Sequence, residues 1–156
     1  MKLQSLVEDL LLEDENYQRR SKALIFVLGD EARLYVERDL KASSGKLSSV
    51  NAIIRSRRDV EVLFLNRLQY LFMYLMKWEA EDVGYNRLIL YGLDELISVN
   101  DQDTENLTNS QLRLANLVFN AAFRIKRKHC LKDVTVINLG DHVRLKQVEN
   151  YWRHVC

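Results

Sequence analysis

The chain has 156 residues, 47% of them hydrophobic and 29% charged, with 23 Lys and Arg against 22 Asp and Glu. These values are typical of one globular domain with a substantial core, and they exclude wholesale disorder. The formal net charge of +1 excludes a strongly basic surface over the whole protein, although basic residues cluster locally. Because the chain has no proline and only five glycines, its composition favours a mostly helical fold.

The cysteine content and the N-terminus indicate the compartment. Cys130 and Cys156 are too few for a disulfide framework, which suits an intracellular protein. Acidic residues interrupt the N-terminal segment where a signal peptide has an apolar stretch. The apolar run LFMYLM is far too short to span a bilayer. We therefore expect a soluble intracellular protein.

The first part of the chain carries helical patterns. Leucines on one face predict a short helix over residues 2–12, and apolar spacing predicts a second helix over residues 15–41. Within the second helix, Gly29 is either tolerated or followed by a new helical start capped by Asp30. A Ser-Ser-Gly sequence at residues 43–45 then predicts a turn.

The central prediction is one long helix over about residues 46–80. Apolar residues recur at helical spacing between Val50 and Trp78, and no Gly or Pro interrupts them. At about 1.5 Å per residue such a helix would be roughly 50 Å long. The fold class predicted from this pattern is all-α, a helical bundle built around this one central helix.

The remaining elements are shorter. Residues 83–99 predict a further helix, and a capping box of Thr108 and Gln111, with a staple of Leu107 and Leu112, predicts a helix that runs to about His129. After residue 129 the pattern indicates two short strands, or a strand and a final helical turn. We therefore expect an α-helical domain over residues 1–129 and a short β-like or irregular tail over 130–156, which would be the remnant of a small β-domain.

The chain contains no phosphate-binding glycine loop and no nucleophile elbow. Carboxylates lie in polar stretches where solvation is the default, so no catalytic pair is indicated. The sequence lacks the closely spaced pairs of ligands that structural zinc sites have. The possible ligands would be His129, Cys130, His142, His154 and Cys156. We predict no enzyme activity, no cofactor and no metal.

An arginine cluster in the central segment is the most specific signal. Arg57 falls on the apolar stripe, between Ile54 and Val60. An arginine there needs a partner, because an unpaired buried charge is very costly. Two interpretations are equally supported: an internal salt bridge, or a contact at a subunit interface, where arginine is enriched.

The segment Arg55–Leu68, RSRRDVEVLFLNRL, resembles the signature of the PSF-one subunit of the GINS complex, in which Arg-x-Arg-Arg is followed by Arg-Leu and later by a tryptophan. The helix that begins near Thr108 is similar to the last helix of that family's α-domain. The resemblance implies a divergent member with a shortened C-terminal region. The matching residues, which the resemblance places at a subunit interface or as anchors of the central helix, are Arg55, Arg57, Arg58, Arg67, Leu68 and Trp78.

This resemblance implies a nuclear, non-catalytic scaffold subunit of the replicative helicase assembly. Its partners would be the other GINS subunits (above all the Sld-five-type sister subunit), the MCM ring, the Cdc forty-five factor and DNA polymerase epsilon. The alternative from the residues themselves is a small helical protein with a regulatory or nucleic-acid-binding role. Its phosphate contacts would come from Arg55, Arg58, Lys126, Arg127 and Lys128.

Overall fold

In the part of the chain that the structure describes, four parallel strands form a central sheet, and helices cover both of its faces. A computed structural model describes residues 2–11, 21–38, 58–81, 84–98 and 108–155. The strands are β1 (Ala23–Leu28), β2 (Val60–Leu65), β3 (Arg87–Tyr91) and β4 (Asp133–Ile137). The helices are α1 (Lys2–Leu11), α2 (Asp30–Arg38), α3 (Leu68–Ala80), α4 (Leu93–Ser98), α5 (Asn109–His129) and α6 (Val143–Val155).

The strand order is β2-β1-β3-β4, with every pairing parallel. Ala23 of β1 lies between Val60 of β2 and Arg87 of β3, which fixes the register of the central strands. All six residues of β1 are buried. Continuous apolar runs of this kind are typical of parallel strands, because helices cover both of their faces.

Successive strand residues point to opposite faces, so the sheet has two apolar cores. On one face, alternate residues such as Phe26 and Leu90 pack with α3, α5 and Leu145 of α6. On the other face, Ile25 and Ile89 pack with α1 and with Ala32 of α2. The larger core lies under α3 and α5, where Trp78, Phe119 and Phe123 are buried.

The capping box predicted at the start of α5 is confirmed. The Thr108 side chain accepts a 3.3 Å hydrogen bond from the Gln111 backbone N–H, and the Gln111 side chain accepts one of 2.8 Å from the Thr108 N–H. The helix ends at His129, as predicted, with Cys130 in the left-handed region at φ 53°. Leu107, the predicted staple residue, lies outside the described residues.

The prediction of an all-α bundle around one long helix was wrong. The helix in this region is α3, which begins at Leu68, and the residues before it form strand β2, Val60–Leu65. The sequence VEVLFL alternates and contains β-branched valine, which favours a strand once a neighbouring strand is available. Residues 39–57, which include the first part of the predicted helix, lie outside the described residues.

Two other predicted helices also contain strands. The helix predicted over 15–41 contains β1, and only α2, from Asp30 onward, is helical in its described part. The helix predicted over 83–99 is strand β3 followed by the six-residue α4. By periodicity alone, short apolar runs such as ALIFVL and RLILY fit a buried strand and a buried helix equally well. In the folded protein these two runs pair with each other in the sheet, and both are therefore strands.

The helix predicted over residues 2–12 is confirmed as α1, with Leu3 and Leu10 buried. Residues 133–137, predicted as part of a tail, form the fourth strand of the same sheet and pair with β3. The helix that follows, α6, is longer than the predicted final turn and begins at Val143. None of the described helices has both the length and the apolar character needed to cross a membrane.

Candidate functional site

The carboxyl ends of β1 and β3 are followed by similar residues. Each strand is followed by a glycine with positive φ, Gly29 at 89° and Gly92 at 88°, and then by the acidic start of a helix. In the strand order β2-β1-β3-β4, the connections leave β1 and β3 in opposite directions, so the carboxyl ends of these strands lie at the switch point of the sheet, a position that we call the crevice. Open α/β sheets bind their ligands at this position.

Gly92 is required by the close approach of two chain segments. A Cβ atom at this position would lie 2.4 Å from the carbonyl oxygen of Leu28 and 2.9 Å from the Cβ of Ala32. The Gly92 N–H also donates a 2.8 Å hydrogen bond to the carbonyl of Ile137. The turn after β3 is therefore held between the ends of β1 and β4.

Asp94 organises the end of β4. Its buried carboxylate accepts hydrogen bonds from the backbone N–H groups of Leu139, at 3.0 Å, and Gly140, at 2.8 Å. The same carboxylate lies 3.1 Å from Nε2 of His142. Since three groups from the β4–α6 turn converge on it, we interpret Asp94 as a structural anchor of this turn.

Glu95 reaches across the crevice toward β1. Its carboxylate accepts a hydrogen bond of 3.4 Å from the Glu31 backbone N–H, in the first turn of α2, and lies where a Cβ of Gly29 would be 3.1 Å away. Burial raises the pKa of the Glu95 carboxyl, and the charge of the Glu31 side chain raises it further. The chain's own carboxylate thus takes the place at the start of α2 where phosphate-binding proteins hold a phosphate.

The crevice therefore lacks the chemistry of a nucleotide site. Its acidic groups, Asp30, Glu31, Asp94 and Glu95, would repel a phosphate, and one N–H at the start of α2 already has a carboxylate partner. The hydrogen bonds of Asp94, Glu95 and Gly92 instead join the carboxyl ends of β1, β3 and β4.

A second candidate region is an exposed apolar surface on the outer side of α3 and α5. These helices are parallel to each other, since both run back from the carboxyl edge of a parallel sheet. Glu79 of α3 bonds Arg124 of α5, a separation of 45 residues along the chain, and the same separation relates Phe72 to Leu117. Phe72 and Leu114 also line one cleft. The resulting surface, which we call the α3–α5 face, consists of Phe72, Met73, Met76, Leu114 and Leu117.

The apolar side chains of the α3–α5 face are unusually exposed to solvent. Met73 is 58% exposed, Leu117 54% and Met76 42%. Methionine side chains are flexible and polarisable, and they are frequent on surfaces that bind other proteins. An apolar surface formed by two helices is a feature of protein interaction sites.

Arg124 and Glu79 fix one end of the α3–α5 face. The Arg124 guanidinium donates to both Glu79 carboxylate oxygens, at 2.6 and 2.8 Å. This hydrogen-bonded pair lowers the pKa of the Glu79 carboxyl, with the charges of Arg124 and Lys128 adding to the effect. The Lys128 ammonium also donates to the Glu79 carbonyl at 2.6 Å. The pair locks α3 and α5 in register.

The residues predicted as interface or anchor residues are not one group in the structure. Arg55 and Arg57 lie outside the described residues. Arg58 is exposed just before β2, and Arg67 is exposed at the N-cap of α3, with Leu68 half-buried beside it. Trp78 is buried in the main core. The interface role of these residues stays a prediction.

The basic end of α5, predicted as a possible phosphate-binding cluster, is largely used within the chain. Lys128 bonds the Glu79 carbonyl, and Lys126 lies over the ring of Phe123 at 5.8 Å. Arg127 is exposed. Arg58 lies just before β2, at the opposite edge of the described sheet from β4, the strand that follows α5.

The histidines considered as zinc ligands have separate partners: His142 lies against Asp94, His129 against the Trp78 carbonyl and His154 against the Asn150 carbonyl. Cys156 lies outside the described residues. Within the residues that the structure describes, no group of three or more His, Cys, Asp or Glu could hold a metal ion.

Sequence reasoning missed Asp94, Glu95 and Gly92. A signal was present: two short apolar runs, ALIFVL and RLILY, are each followed by glycine and then by acidic residues. A run of this length before a glycine turn and a helix start is typical of a parallel strand and its connection. The α3–α5 face could not be found, because its residues belong to the same periodic patterns as the core.

The strand order, the helices on both faces and the crevice define a small doubly wound α/β protein. The model of one family, SHU1, described as "Suppressor of HU sensitivity involved in recombination protein 1", matches residues 4–156. A protein of Saccharomyces cerevisiae (strain ATCC 204508 / S288c) with that same name is 35% identical over 129 residues, which cover 81% of this chain and 80% of the yeast protein. The chain belongs to the SHU1 family.

This finding overturns the resemblance to the PSF-one subunit of GINS. The predicted scaffold role in the replicative helicase was wrong, and so were the predicted partners: GINS subunits, the MCM ring, the Cdc forty-five factor and DNA polymerase epsilon. The signature was misleading because its spacing assumed one helix. In the structure Val60–Leu65 is a strand, and Arg67 only precedes helix α3.

Proposed function

We propose that this protein acts in recombination as a non-catalytic binding protein, and that it does so in the nucleus. The observation that carries the proposal is the family match over residues 4–156, together with a relative whose name places it in recombination. In a eukaryotic cell, a protein that takes part in chromosomal recombination acts in the nucleus.

The chemistry of the crevice supports binding rather than catalysis. Its carboxylates hold backbone N–H groups of neighbouring turns, which makes them structural acceptors. The acidic character of the crevice opposes the binding of nucleotides and of other phosphates. Among the described residues, this chemistry favours a role in holding other proteins in place over a reaction with ATP.

The α3–α5 face is the surface we assign to a protein partner. Exposed cations stand near both ends of these helices: Arg67 at the N-cap of α3 and Arg113 near the start of α5, and Arg127 in the last turn of α5. The complementary partner is an amphipathic helix whose apolar side carries acidic residues at both ends.

The test of the recombination role is genetic. Deleting the gene in the organism that carries it should change the frequency of recombination between direct repeats, and the wild-type gene should restore it. A fluorescent fusion that complements the deletion should concentrate in the nucleus. An unchanged recombination frequency in the deletion strain would refute the proposed function, and a complementing fusion excluded from the nucleus would refute the localisation.

A further inference from the structure

The segments that lead into the strands lie side by side at the amino edge of the sheet, which is the end of the strands opposite the crevice. The Lys22 carbonyl accepts a 2.9 Å hydrogen bond from the Asn86 N–H. The Asn86 carbonyl in turn accepts one of 2.7 Å from the Lys132 N–H, on the other side of β3. The Ala23 N–H, next to Lys22, donates to the Asp59 carbonyl at 2.7 Å. Backbone hydrogen bonds therefore fix this edge across all four strands.

Exposed cations collect at the amino edge. Arg58 lies just before β2, Lys22 before β1 and Lys132 before β4, and all three are exposed. Since neighbouring strands are about 4.8 Å apart, this row is roughly 14 Å long. Helix α5 also ends here, three residues before Lys132, and adds the exposed Arg127 and Lys128. Five exposed cations therefore share one edge of the sheet.

The charges of these five cations are available to a ligand. Lys22, Arg58 and Arg127 form no ion pair with a residue that the structure describes. The ammonium groups of Lys128 and Lys132 donate to uncharged oxygens, a carbonyl of α3 at 2.6 Å and a serine hydroxyl at 3.2 Å. A hydrogen bond to an uncharged oxygen leaves the positive charge in place.

Carboxylates near the amino edge compensate only part of this charge. Among the described residues, Glu61 and Glu81 are exposed there. Three further carboxylates are either held by arginines of the helices or buried: Glu79 by Arg124, Asp133 by Arg153, and Asp59 at 2% exposure. The exposed groups of this edge are therefore mainly positive, whereas the crevice at the far end of the strands is acidic.

The dipole of α5 explains only some of these cations. Basic residues in the last turn of a helix stabilise its negative end, and Arg127 and Lys128 are in such a place. Lys22 and Lys132 instead directly precede strands, and their exposed ammonium groups complement no helix end of their own. A row of cations across strand starts points to a ligand with a row of negative charges.

The surroundings indicate which part of a nucleic acid would make the contact. Duplex DNA carries one negative charge for about each 1.7 Å of its axis, so a 14 Å row can meet several phosphates. Proteins that hold single strands add exposed aromatic rings on which bases stack. Tyr85, beside Asn86, is half-buried and packs edge to face on Trp78 at 6.1 Å. This edge therefore offers contacts to phosphates and not to bases.

We propose that the amino edge of the sheet binds the phosphate backbone of duplex DNA without reading its sequence. The row of Arg58, Lys22 and Lys132, extended by Arg127 and Lys128, makes the contacts. This site goes beyond the proposed function, which assigns the chain a protein partner at the α3–α5 face. It depends on the charge and position of described residues and not on the family match, so its failure would leave the recombination test unaffected.

The experiment measures fluorescence anisotropy of a labelled 30-base-pair duplex of arbitrary sequence as the full chain is added, at 25 and at 50 mM NaCl. With five phosphate contacts, doubling the salt should weaken binding about 20-fold. A single strand of the same length should bind no more tightly than the duplex. Absence of binding at 25 mM NaCl would overturn the proposal, and tighter binding of the single strand would overturn the assignment to duplex DNA.

Variants locate the contacts. The double variant Lys22→Gln/Lys132→Gln removes two contacts, so doubling the salt should then weaken binding only about 6-fold. The matched control is Arg33→Gln/Lys146→Gln, which removes two charges from side chains that are 58% and 57% exposed near the carboxyl edge. This control should keep the affinity of the wild type within about twofold. Equal losses in the two double variants would overturn the site, because overall charge alone would then explain binding.

Two further measurements separate folding and ligand class from the contact itself. Both double variants should keep the melting temperature of the wild type. If Lys22→Gln/Lys132→Gln does not, Arg58→Gln replaces it, with a loss of about 0.9 in the slope of log K against log salt. Poly-glutamate at the same concentration of charge should compete weakly with the duplex. Equal competition would overturn the assignment to DNA in favour of an acidic protein segment.

Discussion

The Asp94 carboxylate, at the start of α4, accepts a 2.8 Å hydrogen bond from the backbone N–H of Gly140, beyond the end of β4. This contact joins the carboxyl ends of two neighbouring strands, and the Leu139 N–H and the His142 ring bind the same carboxylate. The side chain is 4% exposed. The acidic residue at this edge therefore stabilises a turn, in a place where related sheet architectures bind ligands.

Replacing Asp94 by asparagine should destabilise the fold. Asn keeps one acceptor oxygen but brings an NH₂ group toward backbone N–H donors, so one of them loses its partner. We expect the free energy of unfolding to fall by about 2–3 kcal/mol, measured by urea denaturation. The matched control is Asp141→Asn, whose side chain is 78% exposed and which should change stability by no more than about 0.5 kcal/mol. Equal effects of the two variants would contradict the anchor role of Asp94.

Gly92→Ala should be far more harmful than the same change at Gly84. Both glycines have positive φ, 88° and 78°, so both substitutions carry the left-handed strain of about 1–2 kcal/mol. At Gly92 the new methyl group would also lie 2.4 Å from the Leu28 carbonyl oxygen, whereas at Gly84 it meets no atom within 4 Å. We expect losses of about 4 and about 1 kcal/mol in thermal or urea unfolding. A Gly92→Ala protein as stable as Gly84→Ala would show that the turn after β3 is not confined.

Glu95→Gln should change how stability depends on pH. The pKa of Glu95 is raised in the folded protein, mainly by burial, above its ordinary value of 4.5. The folded state therefore holds this proton more tightly than the unfolded state, and the ionised carboxyl opposes folding at neutral pH. We expect the variant to have the higher melting temperature at pH 7. That advantage should shrink as the pH falls through the folded pKa toward 4.5. A variant that is less stable than wild type at pH 7 would contradict this explanation.

Arg124→Lys should show the opposite pH dependence. The hydrogen bonds from Arg124 lower the pKa of Glu79, so their contribution is present above the ordinary value of 4.5 and is lost as the pH falls through the folded pKa. Lysine cannot form the two-point contact, and we expect a loss of about 0.5–1 kcal/mol at pH 7 in urea unfolding, since the pair is partly exposed. Wild type and variant should converge at low pH. A difference that stays constant from pH 7 to pH 3 would show that the loss comes from packing alone.

The helices with strong local signals could be predicted from the sequence. The capping box at Thr108 and Gln111 and the cationic end at His129 define α5 without help from the rest of the fold, and α1 follows from its leucines. Local hydrogen bonds and charges determine these boundaries, so they are visible in a short window of sequence.

The strands could not be distinguished in the same way. Leu24, Phe26 and Leu28 of β1 face one core, and Ile25 and Val27 face the other, so the run shows no alternation. Only pairing with β2 and β3, 37 and 64 residues away, makes it a strand. Asp94 and Glu95 were missed for the same reason, because their roles depend on N–H groups that the fold brings from distant segments.

The measurement that tests the account most directly is the recombination frequency of cells that carry Leu117→Glu in place of the wild-type gene. Leu117 is 54% exposed on the α3–α5 face, so the variant should fold with an unchanged melting temperature. The control is Val143→Glu, the same kind of change at a residue 63% exposed at the start of α6. We predict that Leu117→Glu behaves like the gene deletion while Val143→Glu behaves like wild type. Wild-type recombination in the Leu117→Glu strain would contradict the claim that this protein acts through the α3–α5 face.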